Sequence, residues 1–209
     1  MPPRKAAFGA HAGQGTRVLI CGSLPGDRSL AERRYYAHPG NRFWHLLGAV
    51  LDSDLAAMEY EQRLARILAA GIGLWDVVKS AHRVGSLDSA IRGCEPNRLG
   101  PFAARLPNLR AIAFNGATAS RIGRGQIGGE RLALIDLPSS SAAYAAMPFA
   151  RKRDRWLVLR EFLEPGPLAA RLGTGAAVPA AGAGARGAPA RSPSCSVLPL
   201  STSLPMDRR

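Results

Sequence analysis

Apolar positions fall at two spacings along residues 17–163. Residues 17–21 (RVLIC) form a short β-branched run that stops at Gly22, which predicts a buried strand. Phe43, Leu46, Leu47, Val50 and Leu51 recur at i, i+3, i+4, i+7 and i+8, the stripe of an amphipathic helix. Tyr60, Leu64, Ile67 and Leu68 repeat that stripe, and Gly71 follows where a helix end favours glycine. Further strands are expected at 72–78, 109–114 and 131–137. A last helix is expected from about 150 to 163, with Trp156, Leu159 and Leu163 on one face and Pro165-Gly166 as its stop. Strands alternating with helices predict an α/β fold, a parallel sheet covered on both faces. Ligands in such a sheet bind beyond the carboxyl ends of the strands.

Composition sharpens the boundaries. The chain has 209 residues, room for one domain with tails. In 165–209, 23 of 45 residues are Pro, Gly or Ala and none is aromatic, so that segment cannot offset its ordering entropy by burial. It is expected to be a disordered tail, and 1–16 is read in the same way. The working domain is then 17–164.

Charge points to a partner. The net charge is +13, and residues 17–163 carry 21 Lys and Arg against 13 Asp and Glu. A basic folded body fits a polyanion such as nucleic acid. Arginine supplies 25 of the 28 basic residues, so biased coding is the plain alternative. No apolar run is long enough to span a membrane, and no secretory signal is visible at the start. Cys21, Cys94 and Cys195 are widely spaced and form no CxxC pair, which disfavours a disulfide framework, a four-cysteine zinc site and an iron–sulfur cluster. A reducing, cytoplasmic setting is expected.

Three segments, two after predicted strands and one just before a predicted helix, carry the unusual chemistry. The first strand runs into Gly22-Ser23-Leu24-Pro25-Gly26, a rigid turn whose backbone can approach a ligand closely. Next comes YYAHPGNRFW at 35–44. There Asn41 is either a helix cap or a reactive amide, and Tyr36 either packs or stacks on a ligand. His38 reads as a hydrogen-bonded structural imidazole. Finally LPSSSAAYA at 137–145 sets Ser139, Ser140 and Ser141 beyond the last strand, suited to phosphate contacts or to capping the next helix. Arg151, Lys152, Arg153 and Arg155 crowd the start of the last helix, where the dipole disfavours them unless a phosphate is nearby.

Together, GSLPG, YYAHPGNRFW, GIGLWDVV, RVGSLDSAI, FNGATA and LPSSSA resemble, in order and spacing, the uracil-DNA glycosylase superfamily. The branch most resembled is that of the DNA-deoxyinosine glycosylases, which excise hypoxanthine. The resemblance covers nearly all of 17–163. It implies a three-layer α/β/α sandwich around a four-stranded parallel sheet. It also implies a cofactor-free hydrolase that cuts the bond between base and deoxyribose, and a monomer acting on double-stranded DNA with a damaged base. Leu24 stands where many members hold a water-positioning Asp or Asn, and Leu137 where a polar residue often begins the second motif. Both departures point away from uracil.

On this resemblance Asn41 is the catalytic residue, orienting a water. Tyr36, Asp76 and Ser23 are the base-binding candidates, and Asp76 reads either as the acceptor of the hypoxanthine N1–H or as a structural strand-end carboxylate. Gly22, Pro25, Gly26, Ser139, Ser140 and Ser141 are the DNA-binding candidates. Two alternatives remain: a mismatch-type uracil or thymine glycosylase, and a catalytically silent DNA-binding relative. A nucleotide-binding protein is disfavoured, since no Walker lysine motif is present.

Overall fold

A computed structural model describes residues 3–128 and 131–164. In chain order the elements are β1 (Arg4–Ala6), β2 (Val18–Gly22), α1 (Asp27–Glu32), α2 (Phe43–Leu51), α3 (Tyr60–Ala69), β3 (Ile72–Asp76), β4 (Val78–His82) and β5 (Arg92–Pro96). Then come α4 (Leu99–Ala103), β6 (Ala111–Asn115), α5 (Ala117–Gly123), β7 (Ala133–Leu137), α6 (Phe149–Trp156) and α7 (Arg160–Leu163).

The expected four-stranded sheet is present, in the order β3-β2-β6-β7, with every pairing parallel. All five residues of β2 are buried, because helices cover both faces of the central strand. One half of the core lies under α2 and α3, where Phe43, Leu46, Leu47 and Val50 meet Val18, Ile20 and Leu74. The other half holds Leu19, Cys21, Ile112 and Phe114, packed with Leu99 and Ala103 of α4 and Ala119 of α5. Helix α3 ends as expected: Gly71 adopts φ +82° and a Cβ there would lie 2.7 Å from Arg17 Nε.

A second sheet was not anticipated. Strands β1, β4 and β5 form an antiparallel ribbon in the order β1-β4-β5. The predicted 72–78 strand in fact stops at Asp76, and after Val77 the chain starts β4 in this other sheet. The reading of 1–16 as a disordered tail is corrected here. Arg4–Ala6 pairs with β4, His11 exchanges backbone hydrogen bonds with Leu74, and the Phe8 ring meets Tyr35 edge-on at 5.2 Å. Backbone pairing, the Phe8 ring and side-chain bonds such as Arg4 to Ser80 Oγ and Tyr35 Oη to the Gly9 carbonyl hold this segment, so a Pro-, Gly- and Ala-rich composition did not forbid order. The last helix is broken by a 3-10 turn at Leu157–Leu159. The expected C-terminal tail, 165–209, lies outside the described residues. Among the described residues no helix is long and apolar enough to cross a membrane.

Candidate active site

The four parallel strands end side by side. Gly22 is level with Asp76, and Asn115 with Leu137. Beyond these ends lies a cavity of about 500 Å³, walled by the 22–26 turn, Tyr36, Asn41, Asp76, Asn115 and the 139–144 loop. Three of its wall segments come from the motifs singled out in the sequence.

Asp76 forms the floor and is only 4% exposed. Its backbone carbonyl accepts a hydrogen bond from Asn97 Nδ2 at 2.8 Å, which pins the strand end. A Cβ on Gly22 would lie 2.6 Å from Asp76 Oδ1 and 3.2 Å from the Tyr36 hydroxyl, so only glycine admits this carboxyl. Oδ2 is buried with no hydrogen-bond partner among the described residues. Burial, and then the negative charge of Asp88, push its pKa up to about 7, against the opposing pull of Arg83. An unpaired buried carboxyl is costly, and it is a frequent mark of a ligand site.

Tyr36 is held rigidly. Its backbone is left-handed at φ +54°, and its ring stacks on Phe43 with centroids 3.6 Å apart and planes 8° from parallel. The buried hydroxyl lies beside Asn115 without a hydrogen bond of full geometry. Desolvation and the nearby Asp76 raise its pKa, so it stays a neutral phenol.

Asn41 lines the same cavity, half-buried. Its Oδ1 accepts the backbone N–H of Phe43 at 3.0 Å at the start of α2. The N-cap itself is Arg42, so Asn41 is not the expected cap but closes an Asx-type turn one residue earlier, and its carbonyl oxygen keeps a second lone pair. His38 closes the preceding turn, Nδ1 accepting from Gly40 N–H at 3.0 Å.

Several expected DNA-contacting groups are placed differently. Ser140 is fully buried: Asn115 Nδ2 donates to its Oγ, its own N–H donates to Asn115 Oδ1, and its carbonyl accepts from Arg42 N–H. It ties β6 to the Asn41 turn and has no face left for a phosphate. Ser139 and Ser141 are half-buried and line the cavity. Ser23 also lines it, but its hydroxyl donates to Asp88 Oδ1 at 2.6 Å, so it can offer a base only a lone pair. Gly22 is the last residue of β2 and belongs to the cavity floor rather than to a DNA-facing surface. Pro25 is buried with its carbonyl turned inward, while Gly26 is half-exposed at the start of α1.

The inward turn has a cause that sequence reasoning missed. Arg83 is fully buried, donates to the carbonyls of Leu24 (3.1 Å) and Pro25, and lies 3.7 Å from Asp88. It clamps the 22–26 turn from behind. Arg83 opens the RVGSLDSAI segment of the resemblance, but an arginine reads as surface in a sequence, so no role was assigned to it. Lys152 was grouped with a phosphate-facing cluster, yet it is 5% exposed and donates to the Tyr144 carbonyl at 2.6 Å while lying 4.9 Å over that ring. It anchors the 139–144 loop. Leu24 and Leu137 are both buried in the core, which leaves no polar side chain at either place. Among the described residues no group of three His, Cys, Asp or Glu side chains is arranged to hold a metal.

The comparisons with known proteins fit this geometry. A model of the Uracil DNA glycosylase superfamily matches residues 9–162. The chain belongs to that superfamily. Two curated superfamily relatives carry the name Hypoxanthine DNA glycosylase. The one from Methanosarcina barkeri is 42% identical over 113 residues, 54% of this chain and 72% of the relative. The one from Methanosarcina acetivorans is 43% identical over 115 residues, 55% of this chain and 73% of the relative. A solution NMR structure from M. acetivorans, provisionally described as a uracil DNA glycosylase, aligns with a TM-score of 0.67 and 37% identity. It covers 77% of this chain and 99% of its own.

Proposed function

We propose that the chain is a monofunctional DNA glycosylase that hydrolyses the N-glycosidic bond of hypoxanthine in double-stranded DNA, acting as a monomer. The observation that carries this reading is the unpartnered Asp76 carboxyl at the floor of a cavity walled by a rigid tyrosine ring. The names of the two curated relatives support the same substrate.

The chemistry follows from the walls. The nucleotide must leave the duplex, at a cost of a few kcal/mol that is lower for a mismatched pair. Tyr36 offers the extruded base a flat face backed by Phe43, and such stacking is worth roughly 1–3 kcal/mol. Hypoxanthine carries an N1–H, whereas adenine presents a bare N1. The ionised Asp76 accepts from the first and repels the second, so the donor is paired in one case and an acceptor faces an anion in the other. The free lone pair of Asn41 Oδ1 orients a water toward the sugar as it gains oxocarbenium character. An amide is too weak a base to ionise that water, so its contribution is positioning and electrostatics.

Uracil is the second reading, because its N3–H would also suit Asp76. The buried, apolar Leu24 and Leu137 oppose it, since they offer nothing to a pyrimidine carbonyl. The deciding experiment uses duplexes with one hypoxanthine, uracil, xanthine or adenine, protein in excess, and hot alkali to reveal abasic sites. Strand cleavage at hypoxanthine and none at adenine is expected. Cleavage at uracil with none at hypoxanthine would overturn the assignment.

A further inference from the structure

We propose that a second cavity, on the flank of β3, binds single-stranded DNA, stacking a base on Trp75 and Phe102 and seating phosphates on Arg98 and Arg105. It shares no lining residue with the cavity that holds Asp76, and the inference stands whichever base that cavity selects.

Successive side chains of a strand point to opposite faces, so Trp75 turns away from its neighbour Asp76. Leu74 packs in the half of the core under α2 and α3, while Trp75 lies against the other half, beside α4. Strand β3 is at the edge of the parallel sheet, and Trp75 is half-buried there. A cavity of about 530 Å³ opens over it, walled by Pro96, Asn97, Pro101 and Phe102. The Trp75 and Phe102 ring centroids are 4.4 Å apart and their planes are tilted by 46°, which leaves part of each face open. The Arg105 guanidinium lies 5.2 Å from the Phe102 centroid and extends this platform. Asn97 makes the floor rigid: its Nδ2 donates to the Asp76 carbonyl and its N–H to the Val77 carbonyl, both at 2.8 Å.

The rim carries one anion and three cations. The anion, Glu95, is already matched. Lys79 donates to it at 2.6 Å, Ser80 at 2.8 Å and Arg4 at 3.3 Å, and these donors pull its pKa down to about 2. Arg98 and Arg105, both exposed, stand outside that cluster and face an incoming ligand. Flat ring faces flanked by guanidinium forks suit a base and its phosphates. In a duplex the base faces are covered by their neighbours, so a single strand is the fitting partner. An acidic peptide would pair with the same arginines without needing two flat faces, and it is the competing occupant in the test.

Tryptophan fluorescence reads the site. Of the three tryptophans, Trp44 and Trp156 are buried and Trp75 is half-buried, so quenching by a stacked base reports Trp75. Wild type, the Arg98→Glu/Arg105→Glu double variant, Trp75→Leu and Tyr36→Ala are titrated with an oligothymidylate of eight nucleotides, with thymidine 5′-monophosphate and with hexaglutamate. Thermal unfolding is recorded for each protein. The oligothymidylate should quench wild type and bind it at least about tenfold more tightly than the monophosphate. The double variant, changed only at two exposed side chains, should bind about tenfold or more weakly at low salt. Trp75→Leu should bind roughly fivefold to a hundredfold more weakly. Quenching should persist in Tyr36→Ala, whose substitution lies in the other cavity. Absence of quenching in wild type, or wild-type binding by the folded double variant, would overturn the proposal. So would quenching that is lost in Tyr36→Ala. A monophosphate that binds as tightly as the strand would overturn it in favour of a free nucleotide, and displacement of the strand by hexaglutamate in favour of an acidic peptide.

Discussion

The Tyr36 ring lies 3.6 Å from that of Phe43, 8° from parallel, so the wall of the cavity is continuous with the core. Phe43 is fully buried and is itself held edge-on by Trp44 at 5.1 Å and Trp156 at 5.5 Å. Trp156 in turn donates to the Pro138 carbonyl at 3.1 Å, which links this stack to the Ser139–Ser141 loop. A non-glycine residue at φ +54° is strained by about 1 kcal/mol, and the stack on Phe43 is what holds it there.

Substitution of Tyr36 should follow the ring rather than the hydroxyl. Tyr36→Phe removes a buried group without a full hydrogen bond, so stability should hold or rise slightly and excision should change little. Tyr36→Ala should lower single-turnover excision about tenfold to a hundredfold. Equal loss from both variants would assign the effect to the hydroxyl and end the stacking account.

Asn41 serves two ends that different substitutions separate. Asn41→Ala loses both the turn bond to the Phe43 N–H and the water site, and one such bond is worth about 0.5–1.5 kcal/mol. Asn41→Ser keeps an accepting oxygen on a shorter stem. Both variants should lose excision by about a hundredfold or more, with Asn41→Ser near wild-type stability and DNA affinity. A well-folded Asn41→Ser protein with near-normal single-turnover rates would leave only the turn bond.

The raised pKa of Asp76 makes two pH dependences. Its ordinary value is 3.8 and its folded value about 7, so between them the native state holds a proton that the unfolded chain releases. Stability from this group is complete below about pH 4, falls as pH rises toward 7 and is level above. Asp76→Asn should flatten that slope in denaturant unfolding. Excision of hypoxanthine should rise with pH through about 7, as the accepting carboxylate forms. A stability profile identical in wild type and Asp76→Asn would contradict the burial that the structure shows.

The two ends of the chain should respond oppositely to truncation. Deleting residues 1–8 removes β1 and the Phe8 edge contact with Tyr35, so it should destabilise the domain measurably. Ending the chain after Glu164 removes only a Pro, Gly and Ala-rich segment with no aromatic residue, and single-turnover excision should persist. DNA affinity would weaken slightly at low salt through loss of arginines such as Arg171 and Arg186. An inactive 1–164 fragment would show that the domain extends further.

Helix α2 was legible residue by residue because its 3.6-residue stripe faces a single core. The parallel strands were legible because burial on both faces makes them continuous apolar runs. The antiparallel ribbon was not. Strand β1 is three residues of Arg-Lys-Ala and β5 is exposed throughout with Gly and Pro, so no apolar pattern marks them; backbone pairing and polar cross-strand contacts such as Arg4–Ser80 and Lys79–Glu95 define them. Val77 and Val78 continue the apolar run of β3, so the expected strand ran to 78 and β4 as a separate strand went unread. At the site, Tyr36, Asn41, Asp76 and the serine loop could be found from sequence motifs. Arg83 and Asp88 lay in the recognised RVGSLDSAI segment, yet their roles arise only when β4 returns beneath the 22–26 turn. Asn115 sat in a recognised motif, yet its tie to Ser140 is a tertiary fact.

The most direct measurement is the ratio of hypoxanthine to uracil excision under single-turnover conditions, for wild type and Asp76→Asn. An amide offers both a donor and an acceptor, so discrimination should relax. The rate on hypoxanthine should fall by roughly tenfold to a hundredfold, the worth of one charge-assisted hydrogen bond, while uracil gains relative to it. An unchanged ratio, in a variant of wild-type thermal stability, would return Asp76 to a structural role and contradict the account of how this cavity selects its base.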